Sequence, residues 1–249
     1  VNGTLATMTS SDNITWTGAY TPTEDVEDAT NVLTLATSYT DTAGNAGPGA
    51  TTANFTIDTT APTITGTAIA ANNSTIAVTF SEAVYDTNGG SGALKVSDFT
   101  VTISGGTATV ASTPSSISIS GNVYTLGLSL TGTPNGSETL TVVPSGVTAI
   151  YDAVGNAAST TQSNNSVSLN DKAAPTLSSV GIASDNTTTT LAKVDDVVTL
   201  TFTASETIGT PVVTFTSGSA AITDTSITYN NASGNTWTAK YTANTSDTA

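Results

Sequence analysis

An all-β chain of tandem β-sandwich modules is what this sequence predicts, on three observations. Short apolar runs alternate with Thr and Ser, as in "STIAVTFSEAV", where Ile76, Val78 and Phe80 fall on one face. Gly, Asn, Asp and Pro punctuate these runs at turn spacing, and no i, i+3, i+4 apolar pattern is sustained, so almost no helix is expected. The third observation is a repeat: "YTDTAGNAGPGATTANFTIDTTAPT" from Tyr39 and "IYDAVGNAASTTQSNNSVSLNDKAAPT" from Ile150 carry the same marks in the same order.

Aligned on Gly44-Asn45 and Gly155-Asn156, the two stretches lie about 111 residues apart, the length of one sandwich domain. Each ends in Asp-x-x-Ala-Pro. Proline cannot donate to a ladder and keeps its predecessor extended, so Pro62 and Pro175 mark entry into new modules. Residues 1–60 then form the C-terminal half of a module, 61–172 a complete one and 173–249 the N-terminal part of a third. A second repeat supports the halves: "SSDNITWTGAYT" near the start parallels "NASGNTWTAKYT" near the end, Trp16 matching Trp237 and Tyr20 matching Tyr241. Four residues apart, Trp and Tyr share a strand face, which suits a semi-buried cross-strand cluster better than a sugar platform.

The middle module offers at least seven strand-like runs, from "PTITGTAIA" through "STIAVTFS", "FTVTIS", "TATVAS", "SSISIS" and "VYTLGLSLT" to "ETLTVVPS". Between the last two, "GTPNG" reads as a hairpin turn flanked by Leu128, Leu130, Leu140 and Val142. Seven strands at this spacing imply an immunoglobulin-like sandwich. In the third segment "VVTLTFTASE" repeats the alternation with Val198, Leu200 and Phe202.

Composition narrows function. The 249 residues include no Cys, no His and no Arg, with four Lys against 19 acidic residues, a formal charge of -15. Phosphate binding needs Lys and Arg, so nucleic acid is not an expected partner. The usual nucleophile and base pairs are missing, so no enzyme is expected. No apolar run is long enough to span a bilayer. What the chain has in abundance is oxygen, the donor that calcium takes in sets of six to eight.

"TFSEAV", "YDAVGNA", "TDTAGNAG" and "IDTTAPT" together resemble the bacterial Ig-like repeats of very long surface proteins, among them type I-secreted giant adhesins and surface-layer proteins. The resemblance implies an extracellular, cell-surface location and a stalk or extender role, with calcium at module junctions. The flanking Ig-like modules of the same chain are then its partners, together with further copies of itself if it is a surface-layer or filament subunit. A glycan- or receptor-binding module is a third function on the same fold.

The candidate calcium ligands recur in register: Asp41 with Asn45, Asp152 with Asn156, and the linker residues Asp58 and Asp171. Asp41 and Asp152 equally suit Asx-turns, with Gly44 and Gly155 supplying positive φ. Glu82 and Glu206 follow the Phe-containing strand in "FSEAV" and "FTASETI", as metal ligands or as solvated loop carboxylates. The run Glu24, Asp25, Glu27 and Asp28 reads as solvated charge.

Overall fold

The computed structural model describes residues 2–218, 220–222, 227–245 and 247, and divides the chain into two compact units, Val1–Lys172 and Ala173–Ala249. Both are built from strands. Among the described residues the helical content is a single 3-10 turn, Val96–Asp98.

The first unit opens with two hairpin-like pairs. β1 (Gly3–Leu5) runs antiparallel to β2 (Tyr20–Pro22). β3 (Glu27–Asn31) and β4 (Thr34–Leu35) return as β5 (Ala50–Thr51) and β6 (Phe55–Asp58), with Glu27 opposite Asp58 and Leu35 opposite Ala50. Tyr20 meets Phe55 edge-on at 5.9 Å. An open apolar groove lined by Leu5, Met8, Trp16 and Leu35 separates the two pairs. Trp16 departs from the expected semi-buried cluster: it is 54% exposed in that groove, whereas Tyr241 in the matching position of the third segment is 2% exposed.

The middle module follows: β7 (Ile64–Ile69), β8 (Thr75–Phe80), β9 (Phe99–Ser104), β10 (Thr109–Val110), β11 (Ile117–Ser120), β12 (Val123–Gly127), β13 (Leu130–Thr131), β14 (Thr139–Pro144) and β15 (Ser166–Ser168). One sheet has the order β11-β12-β8-β7 and the other β15-β14-β9. Lettered in chain order, these are D-E-B-A facing G-F-C, the constant-type immunoglobulin arrangement. The expected alternation holds: Ile76, Val78 and Phe80 are buried while their neighbours are half-buried. They share one core with Leu126 from their own sheet and Phe99, Val101, Leu140 and Val142 from the facing one. Each such side chain contributes about 1.5–3 kcal/mol by leaving water. Phe80 and Tyr124 meet edge-on at 5.6 Å, and the Tyr124 hydroxyl donates to the Val84 carbonyl.

The "GTPNG" expectation is corrected here. Strand β13 pairs with β10, not with β14, so residues 132–136 carry the chain between sheets instead of closing a hairpin. The flanking leucines seek the same core from opposite sides. Gly136, at φ 80°, makes the turn, and the fully buried Glu138 holds it by accepting from the backbone N–H groups of Thr107, Ala108 and Asn135.

At the opposite end Asn73 ties the β7–β8 turn to the chain leaving β15. Buried and at φ 59°, it donates to the Asn170 carbonyl at 2.8 Å and accepts from the Asn170 N–H at 2.9 Å. Asn73→Ala is expected to cost about 2 kcal/mol, since it leaves both Asn170 groups unpaired and adopts the left-handed region poorly. A fall in the urea midpoint with an unchanged slope checks this.

The second unit comprises β16 (Leu177–Ser184), β17 (Val197–Ala204), β18 (Thr216–Ser217), β19 (Ala220–Ala221), β20 (Thr228–Ser233) and β21 (Thr236–Thr242). Its main sheet has the order β16-β17-β21-β20, which repeats A-B-E-D. The likeness extends to details. The β16–β17 register shifts between Leu177 and Ser179 as the β7–β8 register does between Ile64 and Gly66. Gly121 and Gly234, at φ 57° and 54°, make matching two-residue turns between the last two strands of each sheet.

Candidate metal centre at the first module junction

Asp58 ends β6 in the linker, Glu82 follows β8, and Asp152 sits in the long loop between β14 and β15. The fold brings these three distant segments to one pole of the middle module. One oxygen from each carboxylate lies within 4.8 Å of the others, and this is the one acidic group of that kind among the described residues.

Local geometry explains how each is held. After β8, the Ser81 hydroxyl accepts from the Thr63 N–H and the Ser81 N–H donates to the Thr63 carbonyl, clamping the Ala-Pro-Thr linker beside Glu82. Asp152 is fully buried. Its Oδ1 accepts from the N–H groups of Val154, Gly155 and Asn156, an Asx-type turn with Gly155 at φ 107°. The Asn156 amide then donates to Asp152 Oδ2 at 2.6 Å and reaches the Asp58 carbonyl at 3.2 Å, joining loop to linker.

Electrostatics make the cluster costly. At an effective dielectric near 20, two ionised carboxylates at this separation repel by about 3 kcal/mol. Glu82 absorbs the strain: partial burial, then the charges of Asp152, Asp58 and Glu27, push its carboxyl up to about 7. The ion pairs formed by the described residues, Lys95–Asp86 and Lys193–Asp196, lie elsewhere. A divalent cation fits this donor set, which is all oxygen, concentrated and anionic.

The other sequence candidates stand outside the cluster. Asp41 is exposed and makes the same turn as Asp152, accepting from the N–H groups of Ala43 and Asn45 and from the Asn45 amide. Those bonds, the Asn45 side chain first, hold its carboxyl below the usual range. Asp171 lies beside Gly136, and Glu206 follows β17 in the second unit. Glu27 is the residue sequence reasoning missed. It was read as part of a solvated run, yet its pairing with Asp58 across β3 and β6 puts its charge within reach of Glu82.

The decisive likeness to known proteins concerns the segment that supplies Asp58. Residues 1–57 match the bacterial Ig-like domain family. The bacterial Ig-like reading of the sequence is thereby shown for this stretch, and the middle module's strand order shows the same fold. The crystal structure of the N-terminal part of the bacterial S-layer protein SbsC is similar over 59% of this chain and 41% of that one, at 17% identity and a TM-score of 0.31. This chain therefore spans less than half of that protein's solved part. No curated protein matches the chain. Among the described residues no helix is long and apolar enough to cross a membrane.

Proposed function

We propose that this chain is a non-enzymatic spacer segment of a long extracellular surface protein or adhesin, its Ig-like modules stiffened by calcium at the junction. One observation carries the reading: Asp58 from the linker, Glu82 and Asp152 from the next module converge on one point. Asp58, Glu82 and Asp152 would hold the cation, which supplies positive charge and no chemistry. Asn156 orients two of the three carboxylates, and the Ser81 clamp keeps the linker in place.

With repulsion removed at the junction, the first segment and the middle module are bound together, while the charge of -15 keeps the rest of the chain extended and soluble. Calorimetric titration with CaCl2 is expected to give one dominant site that Asp152→Asn removes, and scattering is expected to show a more flexible particle after chelation. No calcium binding, or scattering curves unaltered by chelator, would defeat the proposal. The extracellular modules among calcium proteins bind at about 10⁻⁴–10⁻³ M, so millimolar calcium is the relevant range.

A second reading, a subunit that assembles with itself, is favoured by the bare sheet face of the second unit.

A further inference from the structure

In the middle module strand A is covered from across the sandwich by strand G. The Thr67 hydroxyl on β7 donates to the Ser166 carbonyl on β15, the Ile64 N–H donates to Gln162, and Ile64 is 1% exposed. The second unit repeats strand A down to its bonds. Ser205 clamps Thr176 as Ser81 clamps Thr63, and Ser178 at the bulge donates to the Thr203 carbonyl as Thr65 does to the Thr79 carbonyl.

Its inner face is unlike that of the middle module. Leu177, Val180 and Ile182 lie opposite Ala204, Phe202 and Leu200, on the core side of the sheet, yet they are 56%, 62% and 65% exposed. Phe215 and Val213 cover the side near Ala239 and Tyr241, where strand C belongs. The uncovered side is where F and G stand in the middle module. The chain carries one further hairpin of the F–G kind, Glu27 to Asp58. It has the same Asp-x-x-Gly-Asn loop as the β14–β15 connection, and it leaves Val32 and Leu35 40% and 53% exposed.

We propose that the open face of β16 takes the Glu27–Asp58 hairpin of a second copy of this chain, so that copies join head to tail through a composite module. The contact is heterologous: the donor's hairpin end and the acceptor's sheet are different surfaces, so the assembly propagates into a filament unless it closes as a ring. Each copy also brings a D–E hairpin, residues 3–22 in one and 228–242 in the other. The composite sandwich seats one of these and leaves the other outside. This inference rests on the assembling-subunit reading and not on the calcium junction.

The test is sedimentation velocity of the full chain from low to high micromolar concentration at physiological salt, where repulsion between acidic copies is screened. Concentration-dependent oligomers are expected, with the Val180→Asp, Ile182→Asp double variant weakening association at least about tenfold. Both side chains are solvent-exposed in the single copy, and circular dichroism confirms that the variant folds. A synthetic peptide of residues 27–58 is expected to block assembly and, in a Trp16→Phe background, to change Trp237 fluorescence. A monomer unresponsive to the peptide overturns the proposal, as do oligomers indifferent to the double variant. A monomer that binds the peptide also overturns it, because the face would then receive such a hairpin from another source. Glu82→Gln leaves this surface intact, so failure here and failure of the junction reading are separable.

Discussion

Glu138→Ala is expected to lower the stability of the first unit by about 3 kcal/mol, the largest loss of any single substitution considered for this chain. The carboxylate is fully buried, which alone would favour its neutral form, yet the backbone N–H groups of Ala108, Thr107 and Asn135 outweigh burial and hold its carboxyl below the usual range. Truncation leaves three buried or half-buried donors without an acceptor, each costing about 1 kcal/mol or more. Glu138→Gln keeps one acceptor oxygen and should lose less. The direction of the shift fixes the pH behaviour. A carboxyl depressed in the folded state contributes stability above its unfolded value near 4.5 and loses that contribution as pH falls through the folded value. Urea melts of wild type and Glu138→Ala should therefore converge in acid and differ most near neutrality. Equal midpoints at pH 7 would refute the role given to Glu138.

That residue also marks where the sequence stops being legible. Strands announce themselves because a two-residue period is local: Ile76, Val78 and Phe80 could be assigned to one face without knowing the fold. The modules were legible because turns and linkers repeat. Asp58, Glu82 and Asp152 were singled out by recurrence, but their meeting depends on strand order across two sheets, which no local pattern encodes. Glu138 had no such mark. It is one Glu after a Pro-Asn-Gly turn, and the amides it serves lie some thirty residues earlier in the chain. The same limit explains the misread "GTPNG": turn chemistry predicts that the chain turns, not which sheet it rejoins. Trp16 shows the converse, because its matching sequence position does not bring matching burial when the strands that would cover it are not in its segment.

The junction should behave oppositely to Glu138 with pH. In chelator, Glu82 carries a carboxyl raised to about 7 in the folded state against an ordinary value of 4.5. Between those values the folded chain holds a proton that the unfolded chain has released, so stability falls as pH rises from about 4.5 to 7 and then levels. The full shift corresponds to about 3 kcal/mol, and solvent screening of a partly exposed group reduces the expected loss to about 1–2 kcal/mol. Glu82→Gln should abolish this slope and make the metal-free chain more stable above pH 7, because it removes one of three crowded charges. Glu27→Gln should move the slope to lower pH by removing the charge that faces the site from β3. Calcium reverses the comparison. At a hundredfold excess over its dissociation constant it stabilises the folded state by about 2.7 kcal/mol, roughly 5–10 °C for a unit of this size, and Glu82→Gln should forfeit most of that gain. The two variants of one residue thus separate repulsion from ligation: a gain without calcium and a loss with it. A Glu82→Gln chain that is less stable in both conditions would mean that Glu82 is held by contacts other than those charges, and a chain indifferent in both would remove the junction from any role in stability.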